Sequence, residues 1–311
     1  MGRYLVRRSG HSVFIILALM ALLFFAINVL GDPVSLLLSE SGDLAPDIVE
    51  AIRDKHGLNR PLHVRFIDFY ANFLTGDFGR SLRFELPARE IVFDRLPNTA
   101  FLGLVTWAIG LVGVPIGIIA ARHPRGTMDR TVNVLSFAMI SIPEFWLALM
   151  LILIISVQFN LLPTSGFISL GPSGWKFMVL PALALAPRII ARNAQITRST
   201  MIEELGKQYV STARAKGLAE NAVLYGHVLK NAAIAIVTLM GDELAGYMNG
   251  ATITETIFAW PGLGLLLIEA ISGRDLPVVT ACVFVIALMV MAINLIVDVI
   301  YTWLDPRVSY Q

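Results

Sequence analysis

Six long apolar stretches constrain this 311-residue chain more than any other feature of its sequence. A helix needs about 20 mostly apolar residues to cross the roughly 30 Å hydrocarbon core of a bilayer. The stretches that qualify run over 12–30, 99–121, 132–158, 175–197, 232–257 and 277–303. The sequence therefore predicts an all-α polytopic membrane protein with six transmembrane helices, the third of them kinked at Pro143.

The composition excludes several other classes of protein. Hydrophobic residues make up 56% of the chain and charged residues 15%, whereas soluble domains are about 25% charged. A formal net charge of +1 lacks the basic surplus of a nucleic-acid-binding protein, and the high hydrophobicity excludes a disordered chain. One cysteine, Cys282, cannot form an internal disulfide or a cysteine metal cluster.

The first stretch has two interpretations, because basic residues followed by an apolar run also describe a secretory signal peptide. The run is about 18 residues long, and no small-x-small cleavage site precedes the Gly-Asp-Pro sequence at 31–33. These features favour an uncleaved membrane anchor.

The distribution of basic residues predicts the orientation of the chain, because short loops rich in Lys and Arg stay in the cytoplasm. Such residues cluster at the N-terminus, after the second and fourth stretches, and in the C-terminal tail: Arg3, Arg7, Arg8, Arg122, Arg125, Arg130, Arg188, Arg192, Arg198, Lys207, Arg214, Lys216, Lys230 and Arg307. The loops after the third and fifth stretches contain only Lys176 and Arg274, respectively. Both termini are therefore predicted to be cytoplasmic, with a long external segment over 31–97. The resulting division is 1–30, 31–97 and a transmembrane core over 98–311.

Two segments outside the apolar stretches have helical patterns. In the external segment, 46–56 and 62–74 are predicted helices separated by the breaker Gly-Leu-Asn-Arg-Pro. The second has an aromatic stripe, which indicates either packing or an interfacial belt, or else a docking surface for an external partner. In the cytoplasmic segment, Gln208 to Ala215 is predicted to be a short helix ended by Gly217.

The chain contains no phosphate-binding loop of the form G-x-x-x-x-G-K-[ST]. Any energy that the chain uses must therefore come from another subunit or from an ion gradient. The basic residues of the cytoplasmic segment have a simpler explanation as well, since membrane topology alone would place them there.

Short sequences over nearly the whole chain resemble one family of transport proteins. They include YVSTARAKGL at 209–218, GLNRPL at 57–62, GDFGRS at 76–81, RLPNT at 95–99, LPTSG at 162–166, ETIFAWPGLG at 255–264 and RDLPVV at 274–279. Together they resemble the dipeptide, oligopeptide and nickel permeases, which are the inner-membrane subunits of binding-protein-dependent ABC importers, and most closely the B-type dipeptide permease subunit.

The resemblance implies a type I ABC importer permease fold, a bacterial inner-membrane location and a set of partners. These would be a second homologous permease subunit, two cytoplasmic ATPases that use ATP and Mg²⁺, an external substrate-binding protein and membrane lipid. It also implies no bound cofactor or metal, no enzymatic activity and no nucleic-acid partner for this chain.

The resemblance further assigns two groups of residues. A cytoplasmic coupling loop over 198–231 would bind the ATPase through Tyr209, Thr212, Ala213, Arg214, Ala215, Lys216, Gly217 and Leu218. A periplasmic loop motif comprises Glu255, Trp260, Pro261, Gly262, Gly264, Arg274 and Asp275. The small residues of the coupling loop are expected to permit close docking.

Five acidic residues lie within or at the ends of the apolar stretches: Glu144, Asp242, Glu243, Glu255 and Asp298. A charge at mid-bilayer costs at least about 2.5 kcal/mol, so each is a hypothesis for a functional site. The last two are close enough to the span ends to reach the interface.

Asp242 and Glu243 are predicted near the middle of the fifth stretch, on a polar stripe with Asn249. Beside them, Gly246 and Gly250 have the spacing of a close helix contact. We hypothesise that this stripe lines the translocation path and favours substrates with a positive group. The alternative is that one or both acids pair with a basic residue of the partner subunit.

Glu144 follows the helix-breaking Pro143. It is predicted either to lie at a gate in the path or to use backbone donors that the kink leaves accessible.

The leading interpretation is the channel subunit of an ATP-driven importer of dipeptides, oligopeptides or similar small solutes, working by alternating access. A permease for nickel, glutathione or another amino-acid conjugate is the alternative within the family. A proton-coupled secondary carrier is the alternative from another class, with Asp242 and Glu243 as its proton site.

Overall fold

A computed structural model describes residues 2–30, 59–81, 83–169, 174–248 and 251–304. Apart from an isolated bridge between Arg80 and Pro87, every regular element in these ranges is helical. The helices are α1 Gly2–Leu30, α2 Leu62–Thr75, α3 Ala88–Gly110, α4 Gly113–Arg122, α5 Thr127–Ser141, α6 Glu144–Leu151, α7 Trp175–Leu205, α8 Gln208–Ala215, α9 Leu229–Met248, α10 Thr252–Ile257, α11 Leu263–Ser272 and α12 Leu276–Leu304. The all-α prediction is confirmed for the described residues. The expected helix at 46–56 and the Gly-Asp-Pro sequence at 31–33 lie outside them.

Four helical segments in the described residues are long and apolar enough to cross a membrane: Ala88–Arg122, Trp175–Leu205, Ala222–Tyr247 and Leu276–Ile300. The pair Thr127–Ser141 and Glu144–Gln158 makes a fifth if it is one broken span. At the first expected span, 12–30, α1 contains a shorter apolar helical segment, Val13–Ala26.

The chain bends by 90° between α5 and the helix that follows. Pro143 at this break has no backbone N–H, and a proline disfavours helical geometry in the residue before it. Ile142 is accordingly extended, with φ −74° and ψ 123°. The predicted kink is thus a sharp turn that starts a new helix at Glu144.

The residues fall into two units. The first comprises Met1–Val6, Leu96–Leu265 and Met289–Gln311, and the second Arg7–Arg95 and Leu266–Leu288. In the second unit the aromatic stripe of α2 packs rather than facing solvent. Phe66 is 5.2 Å from Phe24 of α1 between ring centroids, and Phe73 is 4.4 Å from Phe284 of α12. This stripe is part of the packed core of its unit.

In the first unit, α4 lies against α7 with its glycines at the contact. A Cβ added to Gly117 would be 2.5 Å from the Ala194 carbonyl oxygen and 2.7 Å from the Cβ of Thr197. A Cβ at Gly113 would likewise be 2.8 Å from the Cβ of Asn193. Glycines four residues apart let two helix backbones approach closely, as in membrane helix pairs generally.

Of the pair expected to make such a contact, Gly246 and Gly250, only Gly246 lies in the described residues, and it makes no close contact with them. No heavy atom of the described chain lies within 4 Å of a Cβ added at Gly246, and Gly250 is outside the described residues. The close contact is formed by Gly113 and Gly117 instead, because their helix runs directly along α7.

The fifth apolar segment also ends earlier than the sequence predicted. Its helix begins with a π-helical segment, Ala222–Val228, and continues as α9 to Met248, after which the short α10 forms separately. Asp242 and Glu243 therefore lie in the last two turns of α9 and not near the middle of a span.

Candidate functional site

A cavity of about 600 Å³ lies inside the first unit, between α7, α9 and the start of α6, α10 and the second half of α12. Five charged side chains line it: Glu144, Arg188, Arg192, Asp242 and Glu243. Tyr247, Thr252 and Asn294 add uncharged polar groups. Glu144 thus meets Asp242 and Glu243, which are far from it in the sequence, in one cavity that also contains two arginines.

Glu243 is the most deeply buried of these acids, with 5% of its surface exposed. Its Oε1 lies 3.6 Å from Nε of Arg192, which is an ion pair without a close hydrogen bond. Its Oε2 is buried and has no hydrogen-bond partner among the described residues. The cation beside Glu243 therefore belongs to the same chain, whereas the sequence left open a partner subunit's basic residue.

The other two acids differ in their surroundings. Glu144 is half-buried and its Oε1 accepts a hydrogen bond of 2.5 Å from Oγ1 of Thr254, which ties the start of α6 to α10. Asp242 is exposed and makes no ion pair or hydrogen bond within the described part of the chain. Asn249, the remaining residue of the expected polar stripe, lies outside the described residues.

Arg188 and Arg192 were missed as site residues because the sequence analysis counted them only with the basic residues that predict a cytoplasmic side. Both lie within α7, which continues without interruption from Trp175 to Leu205. Their spacing of four places them on one face, and both face the cavity. The available signal was two arginines inside a helical pattern, since charges in an apolar span mark functional sites by default.

A second candidate site is the short helix α8, whose predicted bounds Gln208–Ala215 are confirmed. Gly217 follows it with a left-handed φ of +79°, as expected of a residue that ends a helix. Val210 and Ala213 are buried in a cluster with residues of α4, α7 and α9. These two side chains anchor α8 to its own chain.

Polar contacts fix the ends of α8. The Tyr209 hydroxyl donates to Oε2 of Glu204 at 2.8 Å, and partial burial raises the pKa of Tyr209. Arg214 forms a bidentate pair with Glu220, which lowers the pKa of that carboxyl. Thr212, Ala215, Lys216 and Leu218 remain exposed. Within the 209–218 sequence, Val210 and Ala213 thus pack against the rest of the chain, and the exposed residues form a face that is available to a partner.

The external loop motif is organised around a buried carboxylate. Glu255 is fully buried, accepts from Oγ1 of Thr99 at 2.9 Å and from the Leu265 amide at 3.0 Å, and packs against Gly262 and Gly264. It therefore does not reach the interface as the sequence allowed. Around it, the Trp260 indole donates to the Asn98 carbonyl, and the Asn98 amide donates to the Pro261 carbonyl. Two sequences that were recognised separately, at 95–99 and 255–264, form one network.

The other half of the motif belongs to the second unit. Asp275 is buried and accepts a short hydrogen bond from the Ser81 hydroxyl, while Arg274 has a left-handed φ of +53°. Gly79, with φ +85°, approaches Pro277. The sequences at 76–81 and 274–279 are therefore also paired in space. Within the described residues, no three His, Cys, Asp or Glu side chains are grouped as a metal site requires.

Comparison with protein families identifies what these elements belong to. Residues 113–310 match the family of binding-protein-dependent transport system inner membrane components, and residues 1–103 match the N-terminal part of such membrane components. The chain belongs to this family. It is an inner-membrane, multi-pass permease of ABC importers, which supports the importer interpretation over a secondary carrier.

Relatives and solved structures agree with the family. The chain is 36% identical to the oligopeptide transport system permease AppB of Bacillus subtilis and 35% identical to the glutathione transport system permease GsiC of Salmonella typhimurium, with both chains covered completely. A structure of the MetNI methionine ABC transporter in inward facing conformations is 18% identical with a TM-score of 0.57, covering 69% of this chain and 96% of that one. The likeness to MetNI shows a shared permease fold.

Proposed function

We propose that this permease forms the transmembrane channel of an ATP-driven importer of dipeptides, oligopeptides and similar small solutes. The full-length match to relatives named for oligopeptide, peptide and glutathione transport carries this proposal. Glutathione is itself a peptide, so the similarity to glutathione permeases is consistent with a peptide substrate. The external binding protein would select among these solutes.

The proposed topology has six spans with both termini in the cytoplasm. Residues 1–30 contain the N-terminus and first span, 31–97 form a periplasmic segment, and 98–311 form the permease core with the coupling loop 198–231. The basic residues that support this orientation include Arg122, Arg125, Arg198 and Lys207.

We propose that α8 couples the permease to a cytoplasmic ATPase. The proposed assembly has a second homologous permease, two ATPases that bind ATP and Mg²⁺, and an external binding protein. Closure of the ATPases would move α8, and because Val210 and Ala213 join α8 to a buried cluster containing residues of α4, α7 and α9, the movement would reach the spans. The charged cavity, with Glu144, Asp242 and Glu243, is proposed as part of the translocation path. Asn249, which lies outside the described residues, is assigned to the path from the sequence alone.

Substitution on the outward face of α8 tests the coupling role. Ala215→Trp adds a large ring to an exposed position, so we expect normal membrane levels but loss of ATPase co-purification and of ATP-dependent peptide uptake. Met128→Trp is the control, since Met128 is 47% exposed in the first turn of α5, next to a loop predicted to face the same compartment. Wild-type uptake by the Ala215 variant would contradict the proposed docking face.

A further inference from the structure

We infer that the charged cavity binds a zwitterionic solute of short-peptide size, with the solute's carboxylate at Arg188 and its ammonium group at Asp242 and Glu243. This inference deepens the proposed function and rests on it. It also changes the expectation drawn from the sequence, in which only acids faced the path and the substrate was simply cationic.

The first argument is the charge balance of the lining. Arg192 and Glu243 lie 3.6 Å apart and largely offset one another. Arg188 and Asp242 also line the cavity, yet neither makes an ion pair or hydrogen bond with a described residue. The fifth charge, Glu144, accepts a hydrogen bond from Thr254 but makes no ion pair with a described residue. Arg188 is therefore left as a cation, with Asp242 and Glu144 as anions, and a zwitterion is a solute that complements both signs.

The second argument is the buried oxygen of Glu243. A buried carboxylate oxygen normally accepts hydrogen bonds, because a buried acceptor left without a donor loses its hydration and gains nothing in return, and this cost is larger when the group is charged. Oε2 of Glu243 has no donor among the described residues, although the side chain is 95% buried and lines the cavity. An ammonium group has three N–H donors and no acceptor, so it would supply the missing hydrogen bond.

The position of the acids at the end of α9 agrees with this orientation. The carboxyl end of a helix carries a partial negative charge, which favours a cation and disfavours further anions. Asp242 and Glu243 lie in the last two turns of α9, where they increase that negative potential. Arg188 is contributed by α7, so the two charge signs come from different helices.

Size and polarity also fit a short peptide. Sites for small molecules enclose about 300–1,000 Å³, and this cavity encloses about 600 Å³. Tyr247, Thr252 and Asn294 offer hydroxyl and amide groups that can bond to peptide N–H and C=O groups. A purely cationic solute would instead meet two arginines in the same space.

Binding of end-blocked peptides to charge variants tests the inference. The transporter complex, without its external binding protein, is placed in lipid nanodiscs and titrated with labelled Ala-Ala, N-acetyl-Ala-Ala and Ala-Ala-amide. Arg188→Gln should weaken Ala-Ala binding about tenfold and leave Ala-Ala-amide unchanged. Asp242→Asn should weaken Ala-Ala binding to a similar degree and leave N-acetyl-Ala-Ala unchanged.

Controls separate local chemistry from folding. Lys176→Gln and Glu203→Gln remove exposed charges elsewhere on α7 and should bind Ala-Ala like the wild type. Arg188→Lys keeps the positive charge and should retain most of the affinity. Because Arg188 and Asp242 make no ion pair or hydrogen bond with a described residue, their variants should assemble with the ATPases normally.

The outcomes are distinct. Equal binding of Ala-Ala by the wild type and both variants overturns the inference, as does tighter binding of Ala-Ala-amide than of Ala-Ala. ATP-dependent uptake of Ala-Ala by the complete transporter is measured in parallel. If the wild type imports peptides but its cavity does not bind them, only this inference fails, whereas absence of uptake by the wild type contradicts the proposed function itself.

Discussion

Replacing Glu255 by alanine should destabilise the permease through the external loop network. The substitution removes the acceptor of two buried donors, the Thr99 hydroxyl at 2.9 Å and the Leu265 amide at 3.0 Å. An unsatisfied buried donor costs about 1–3 kcal/mol, so the two together cost about 2–6 kcal/mol. Gly262 and Gly264, which pack against the carboxyl group, have no side chains to fill the space it leaves.

This loss is a large fraction of a typical unfolding free energy of about 5–15 kcal/mol. Thermal unfolding of the purified chain in detergent measures it, and we expect the midpoint to fall by roughly 4 °C or more, at about 2 °C per kcal/mol for a chain of this size. Glu255→Gln keeps one carbonyl acceptor and should lose about half as much.

Glu203→Ala is the matched control because Glu203 is exposed, and surface substitutions usually change stability by less than about 0.5 kcal/mol. If Glu255→Ala unfolds at the same temperature as this control, the carboxylate does not hold the loop, and the account of the external network is wrong.

Two further predictions concern the packing of α7. Gly117→Ala should cost about 1–3 kcal/mol in unfolding free energy, because the added methyl meets backbone atoms of α7. Gly246→Ala is the control, since the space around it is open, and it should be neutral or stabilise by up to about 1 kcal/mol. Equal changes in unfolding free energy at the two sites would refute the contact between α4 and α7. Asp129→Ala should cost roughly 3 kcal/mol by leaving Arg198 without its bidentate partner, and the Asp129→Ala, Arg198→Ala double variant should recover part of this loss in a double-mutant cycle measured by thermal unfolding.

Much of the fold was predictable because it follows from local patterns. Apolar length located the long helices, Pro143 located the break, and Gly217 located the end of α8. Helix ends were less predictable: α7 extends to Leu205 and α9 ends at Met248, since hydropathy does not register where a helix leaves the membrane. The external motif was predictable as a set of short sequences, but not as two hydrogen-bonded networks, one around Glu255 and one around Asp275.

The sequence alone determined that this is a helical membrane protein, its predicted orientation, its family and the bounds of α8, because each depends on composition or on residues close together in the chain. Only the tertiary structure decided which charges meet. Asp242 and Glu243 share a cavity with Arg188 and Arg192 because α9 lies beside the face of α7 that carries both arginines. Contacts between helices tens of residues apart leave no periodic pattern in the sequence. The sequence of one helix therefore predicted only an acidic stripe, whereas the structure shows a cavity lined by acids and arginines.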